Sequence, residues 1–395
     1  MFDIIDSFAK GYRYINNDTI RGEDFGKTYK SDLCQIFAVA DGHGDPNCPR
    51  SSFGSETACN AAISGLMTFC EEVFKNSLES EILESDKRIK HLIEVIVAEW
   101  SLAVKEDYEN NPLSDEERAG CDRYLELYDN GEKIEHIYGT TLIAGLMTDK
   151  YLLLLQQGDG RCDVFNDKGE VSQPIPWDEK CLGNITTSLC ESDAIQRFRH
   201  CIIDIVKHPI IACIADTDGV EDSFGSMGLL HNFHRDLLIY ACEHGIESLH
   251  EHLKEILPEL TKERSRDDIT ICGFVDLEKT KGLIPAFKKA NEIVDLENRL
   301  REVDARLKSM RSMGKMEALK AQYEKACEEV EKIRHAQATV LDEALANRDK
   351  KEQEYKDYQK REDQLNEERL KLTEELALLN SKGTCEEANE EDEQE

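Results

Sequence analysis

The sequence predicts an α+β sandwich, strands packed in sheets with helices outside them, followed by a C-terminal α-helical coiled coil. Three observations carry this. Up to about residue 280 the chain alternates short apolar runs with amphipathic stretches. Beyond about Pro285, apolar residues step by three and four with charges between them. At 395 residues and 40% apolar content there is material for one large domain and an appendage.

Seven runs rich in Val, Ile, Leu, Tyr or Phe and bounded by Gly, Asp or Asn read as strands: Cys34–Ala40, Thr140–Met147, Tyr151–Gln156, Arg161–Phe165, Ile202–Val206, Ile210–Ala215 and Ile269–Val275. Glu56–Lys75, Lys87–Tyr108, Leu229–His244 and Ile246–Leu257 carry the three-and-four spacing of helices. Between them, residues 106–136 form a polar, acidic stretch with Pro112 and Gly120, which reads as an inserted loop or lid. The expected domain therefore spans residues 1–282, with the coiled-coil region at 286–380 and an acidic, disordered tail at 381–395.

In the helical region Ile293, Leu296, Leu300, Val303, Leu307 and Met310 form a seam; its phase breaks near Gly314, and Leu319, Tyr323, Ala326, Val330 and Ile333 resume it two residues out of register. Such a skip fits either a local change of supercoil or a turn between antiparallel helices. A hairpin within the chain and an intermolecular coiled coil, giving a homodimer or a docked partner helix, are both open.

Charge excludes some functions. The net charge is −33, with 28 Lys and Arg against 53 Asp and Glu in residues 1–285, so phosphate backbones would be repelled and nucleic-acid binding is disfavoured. The fourteen cysteines are scattered singly, as in a reduced core, and no run approaches 18 apolar residues, so a cytoplasmic protein without a membrane association is expected.

Aspartates recur at the ends of the apolar runs: RGED at 21–24, FAVADGHGD at 37–45, LLLLQQGDG at 152–160, IADTDGV at 214–220 and SRDDIT at 265–270. Hard divalent cations prefer such carboxylates, a backbone carbonyl and water. Asp41 stands at the tip of a strand, and Gly42 lets the backbone bend so that its carbonyl can reach the same cation. Asp218 and Asp267 occupy two further strand ends. Asp216 and Asp268 are weaker candidates, because a strand alternates its faces and only one of each pair points inward. Asp222 is suited equally to a ligand or a helix cap. Two metals about 4 Å apart hold a water whose pKa falls toward neutrality and which attacks phosphorus in line, so no protein nucleophile is needed.

Taken in order, RGED, ADGHG, YGTT (138–141), QQGDG, DTDGVEDSF and DDIT resemble the metal-dependent protein phosphatases, the type 2C or PPM serine/threonine phosphatases, from about Phe8 to Asp276. TDGVEDSF and QGDGR look particularly like bacterial members. The resemblance implies a sandwich of two antiparallel sheets flanked by helices, two Mn²⁺ or Mg²⁺ ions at one end, and a phosphorylated protein as substrate. By motif position Asp41 would bridge both ions and Gly42 would ligate through its carbonyl. Asp218 and Asp267 would complete one ion, Glu23 or Asp24 would serve the other, and Asp159 with Asp218 would form a weaker third site. His43 matches the histidine that protonates the leaving oxygen. One departure is the position of the family's phosphate-binding arginine, which is Thr19 here, with Arg13 or Arg21 as substitutes. The reading from a different class is a catalytically silent sensor or scaffold acting through its helical tail.

Overall fold

The computed structural model describes residues 2–15, 22–73, 86–121, 123–181, 185–312, 315–334 and 341–391. Contacts divide the chain into two units, residues 1–287 and 288–395.

The first unit holds two five-stranded antiparallel sheets. One runs β1 (Asp3–Ala9), β10 (Ile269–Val275), β9 (Ile210–Asp216), β6 (Arg161–Asn166), β7 (Val171–Ser172); the other β2 (Phe25–Lys30), β3 (Gln35–Ala40), β4 (Leu142–Met147), β5 (Tyr151–Gln157), β8 (Arg199–Asp204). This is the fold class expected. The central strands read as unbroken apolar runs because both of their faces are covered. Alternate residues of β3 show it: Phe37 and Val39 enter the layer between the sheets with Val164, Cys213 and Phe274, while Ile36, Ala38 and Ala40 pack outward with α1 (Ser51–Val73) and α2 (Lys87–Asn110). The rings of Phe37 and Phe274 meet at 5.0 Å across the sandwich. On the opposite flank Ile214, Ile269 and Ile271 pack with Leu237, Leu249 and Leu253 from helices Met227–His244 and Ile246–Glu263. The order of layers is therefore helix, sheet, sheet, helix.

Residues 106–136 are an ordered insertion, apart from residue 122, which lies outside the described residues. After α2 come two short helices, α3 (Asp115–Gly120) and α4 (Leu125–Asp129), and a 3₁₀ turn at Ile134–Tyr138. Ser114 and Glu117 cap α3 reciprocally. Arg50 holds the insertion to α1. Its fork donates to both oxygens of Glu117 (2.7 and 3.2 Å), to Asp107 (3.0 Å), to the carbonyls of Asn111 (2.7 Å) and Pro112 (3.2 Å), and to the Tyr138 hydroxyl (3.1 Å).

Four short or amphipathic helices complete the first unit: α5 (Ala194–Arg197), α6 (Asp218–Glu221), α7 (Met227–His244) and α8 (Ile246–Glu263), with α9 (Leu277–Lys281) after β10. A charged triad is sealed inside. His234 of α7 sits between Asp163 of β6 and Asp216 of β9, 2.9 Å from each, and all three are fully buried. Burial opposes protonation of His234, but the two carboxylates outweigh it and raise its pKa to about 9.

The second unit is helical: the continuation of α10 (Ile284–Ser312), α11 (Lys315–Arg334) and α12 (Leu341–Glu391). Leu296, Val303 and Leu307 bury against Leu372, with Leu300, Leu365 and Leu379 around them. Asp304 pairs with Arg369 at 2.5 Å, and Tyr323 feels the charges of Glu352 and Arg348. Residue numbers rise along one arm as they fall along the other, so the tail is an antiparallel helical hairpin. Gly314, where the phase breaks, lies outside the described residues. Helix α12 extends to Glu391, into the acidic segment expected to be disordered; its many Glu residues are good helix formers.

Candidate metal centre and cleft

Antiparallel pairing explains how distant motifs meet. The C-terminal ends of β3, β5 and β9 and the N-terminal ends of β2, β6 and β10 all lie at one edge of the sandwich, as the pairs Phe25↔Ala40, Leu142↔Gln157, Arg161↔Asp216 and Ile271↔Asp216 require. Asp41 follows β3, Asp159 follows β5, Asp218 follows β9 and Asp267 precedes β10.

Each tip is held by neighbours. The Asp41 amide donates to Thr141 Oγ1 (3.0 Å), while the Thr141 amide (2.8 Å) and Thr140 Oγ1 (2.9 Å) donate to the Asp41 carbonyl, which gives YGTT a positioning part. Gly42 has no room for a side chain: a Cβ there would stand 2.5 Å from the Glu23 carbonyl oxygen. Gly158, at φ +100°, turns the chain into Asp159, whose Oδ1 accepts from Thr186 Oγ1 at 2.7 Å. Asp268 accepts from the backbone amides of Gly11 and Glu23, tying the N-terminal loops to β10.

One carboxylate oxygen from each of Asp41, Asp159 and Asp218 lies within 4.8 Å of the other two. They stand in a cleft of about 900 Å³ that Gly42, His43, Asp267 and Arg13 also line. Burial, then Asp218 and Asp24, pushes the Asp41 carboxyl well above its usual range. Burial and Asp159 push Asp218 up to about 7, and burial raises Asp159 and Asp267. In each case burial, which disfavours the charged form, is the leading cause. Of the cleft arginines, Arg13 pairs with Asp267 at 2.5 Å and Arg161 with Glu221 through two bonds of 2.5 and 2.7 Å, which leaves Asp41, Asp159 and Asp218 without an ion pair among the described residues. Those three converging carboxylates are a donor set that fits a hard divalent cation.

The remaining expected residues are placed as follows. Asp24 is buried, accepts from Thr217 Oγ1 at 2.6 Å and feels the charges of Asp268, Asp218 and Asp267. Glu23 accepts from the Tyr14 hydroxyl at 3.0 Å and lies 3.4 Å from Arg13. Neither carboxylate belongs to the group of three. Arg21 lies outside the described residues. His43 is in the cleft; burial, then His136, lowers its pKa to about 4, so its ring is neutral near pH 7. Asp222 lines the cleft as well, whereas Asp216, the last residue of β9, faces His234, and Asp218 stands past the strand end in the first turn of α6.

Several cleft residues were not singled out from sequence: Arg161, stacked 3.9 Å over the Trp177 ring, and Arg123, Tyr124, Tyr128 and His136 of the insertion. Aromatic residues in an otherwise acidic insertion were the available signal for the last group. No described helix is long and apolar enough to cross a membrane.

Three comparisons bear on the chain. No curated protein matches it in sequence. Among solved structures it is similar to the serine/threonine phosphatase Stp1 of Staphylococcus aureus (16% identity, TM-score 0.43, covering 70% of this chain and 95% of that one). It is similar also to the catalytic domain of the serine/threonine protein phosphatase PstP in complex with two manganese ions (14%, 0.40, 70% and 99%) and to a C. elegans sex determining protein (15%, 0.46, 72% and 67%). The sequence profile described as protein phosphatase 2C matches residues 10–258, more than half of the chain, and the two antiparallel sheets flanked by helices are that family's fold. The chain belongs to the protein phosphatase 2C family.

Proposed function

We propose that this protein is a metal-dependent phosphatase that hydrolyses phosphoserine and phosphothreonine in proteins. The observation that carries the proposal is the meeting of Asp41, Asp159 and Asp218 oxygens within 4.8 Å in an open acidic cleft. Asp41 and the Gly42 carbonyl, with Asp218 and Asp267 for one ion and Glu23 or Asp24 for the other, would hold two Mn²⁺ or Mg²⁺ ions, and Asp159 with Asp218 a third. When bound, such ions neutralise phosphoryl oxygens and lower the pKa of a water.

The chain's own groups do the rest. Thr140 and Thr141 fix the Asp41 backbone, which limits the movement its carboxylate needs on binding. Asp268 keeps the Glu23 and Asp24 backbone against β10. Burial keeps His43 neutral; a phosphate dianion arriving beside it favours its protonated form, from which it gives a proton to the leaving oxygen. Arg13, tied to Asp267, orients that carboxylate.

The tail buries its own leucine seam against itself, which supports a hairpin within one chain over a homodimer. Light scattering on the whole chain and on one ending near residue 285 tests this: a dimer only in the longer chain would refute it. For the activity, p-nitrophenyl phosphate and a phosphothreonine peptide are assayed with Mn²⁺. Turnover abolished by EDTA is expected, and absence of turnover would favour the silent scaffold.

A further inference from the structure

Eight carboxylates and three arginines line the cleft. A phosphate monoester entering it carries about two negative charges near pH 7, so an arginine with an uncommitted fork would add to what bound cations neutralise. Two of the arginines have none to spare: Arg13 spends its fork on Asp267 and Glu23, and Arg161 is bidentate to Glu221 with its other face on Trp177. Arg123 differs. It is exposed at the cleft and forms no ion pair among the described residues. Its charge is felt by Asp45, whose carboxylate is already held by the Asn47 amide at 2.8 Å.

Arg123 is also well placed. Its backbone amide donates to Asn47 Oδ1 at 3.3 Å, and the neighbouring Tyr128 hydroxyl donates to the Asn47 carbonyl at 2.9 Å. These bonds dock the insertion on the loop that leaves Asp41, Gly42 and His43. The Arg50 fork fastens the insertion from behind through Glu117 and Asp107. A long cationic side chain is thus mounted on a braced wall, beside the loop that carries three of the residues named above.

Resting on the phosphatase reading, we infer that Arg123, supplied by the insertion at 106–136, is the arginine that receives the phosphoryl group of the substrate. A guanidinium binds phosphate with two parallel N–H donors, which no threonine or lysine reproduces.

The test compares wild type with Arg123→Ala and Arg123→Lys, using Arg118→Ala as a control in the same insertion, where Arg118 pairs with exposed Asp129. Orthophosphate affinity of the Mn²⁺-loaded protein is measured by calorimetry, which needs no turnover, and KM and kcat are measured with p-nitrophenyl phosphate and with phosphopeptides of neutral or acidic flank. Arg123→Ala is expected to weaken orthophosphate on the order of tenfold or more and to raise KM similarly for all three substrates, as loss of a charged hydrogen bond does. Arg123→Lys should recover part of the loss, and Arg118→Ala should change neither. Unchanged orthophosphate affinity in Arg123→Ala overturns the assignment. So does an effect confined to the acidic-flank peptide, since Arg123 would then read a neighbouring carboxylate. Phosphate binding that depends on Arg123 without any turnover would instead refute the activity and spare the assignment.

Discussion

Replacing Arg50 by Met should loosen the insertion without unfolding the sandwich. Methionine keeps an apolar stem and removes six hydrogen bonds, four of them to oxygens other than those of Glu117. The cluster is largely shielded: side-chain exposure is 13% for Arg50, 17% for Asp107 and 25% for Glu117. An exposed pair would be worth about 0–1 kcal/mol, and removing one partner of a buried pair costs about 3–5 kcal/mol. Asp107 keeps the Tyr138 hydroxyl at 2.6 Å, and Glu117 can reach water, so the cost lies between these limits, at about 2–4 kcal/mol. At 1.4 kcal/mol per tenfold, amides within 107–138 should then exchange roughly thirty- to several-hundred-fold faster. Hydrogen exchange read by mass spectrometry measures this segment by segment. The pH dependence follows with its sign. Arg50 lowers the Glu117 pKa from 4.5 to about 2, so the contribution is complete above 4.5 and fades as pH falls toward 2. Wild type should lose protection across that window, and Arg50→Met should not. Exchange of the insertion within twofold of wild type would refute the bracing argument.

Other perturbations have defined outcomes. His234→Gln leaves Asp163 and Asp216 buried without their cation and should cost about 3–5 kcal/mol in urea denaturation; a cost below about 1 kcal/mol would show that the triad contributes little. Because the folded His234 pKa is raised from 6.5 to about 9, its contribution is full below pH 6.5 and lost as pH rises through 9, so the thermal midpoint should fall over that interval and not in His234→Gln. Asp218→Asn should make the EDTA-treated protein more stable at pH 8, since a carboxyl with a pKa of about 7 is strained by charge there; an unchanged or lower midpoint would contradict the crowding of carboxylates. Asp268→Asn should weaken the anchoring of Gly11 and Glu23 and lower Mn²⁺ affinity while the sheets persist by circular dichroism; undiminished affinity would mean that these loops do not shape the site.

The long apolar strands were legible because both of their faces are buried, and the helices because each has one apolar stripe. Strands β1, DIIDSFA, and β2, FGKTYK, were not. Each is the edge of its sheet, half-buried and polar, and pairing with β10 or β3 rather than composition makes it a strand. At the site, the strand-end aspartates were visible, but alternation does not separate Asp218 from Asp216, two residues apart; the end of β9 at Asp216 and the start of α6 at Asp218 do. What sequence could not convey is which charges are already spent. Arg13 looked available until Asp267 was found against it, and Asp24 is buried with a bond from Thr217. The tail shows the same limit: a leucine seam states that something packs on it, and only the return of α12 supplies the partner.

Central to this account is that strand-tip carboxylates form one cation site. The direct measurement is calorimetric titration of Mn²⁺ into EDTA-stripped wild type and Asp41→Asn, both checked for fold. Two or more ions bound by wild type, with binding lost or cut by tenfold or more in Asp41→Asn, is the expected result. Identical isotherms, or no heat from the wild type, would contradict it.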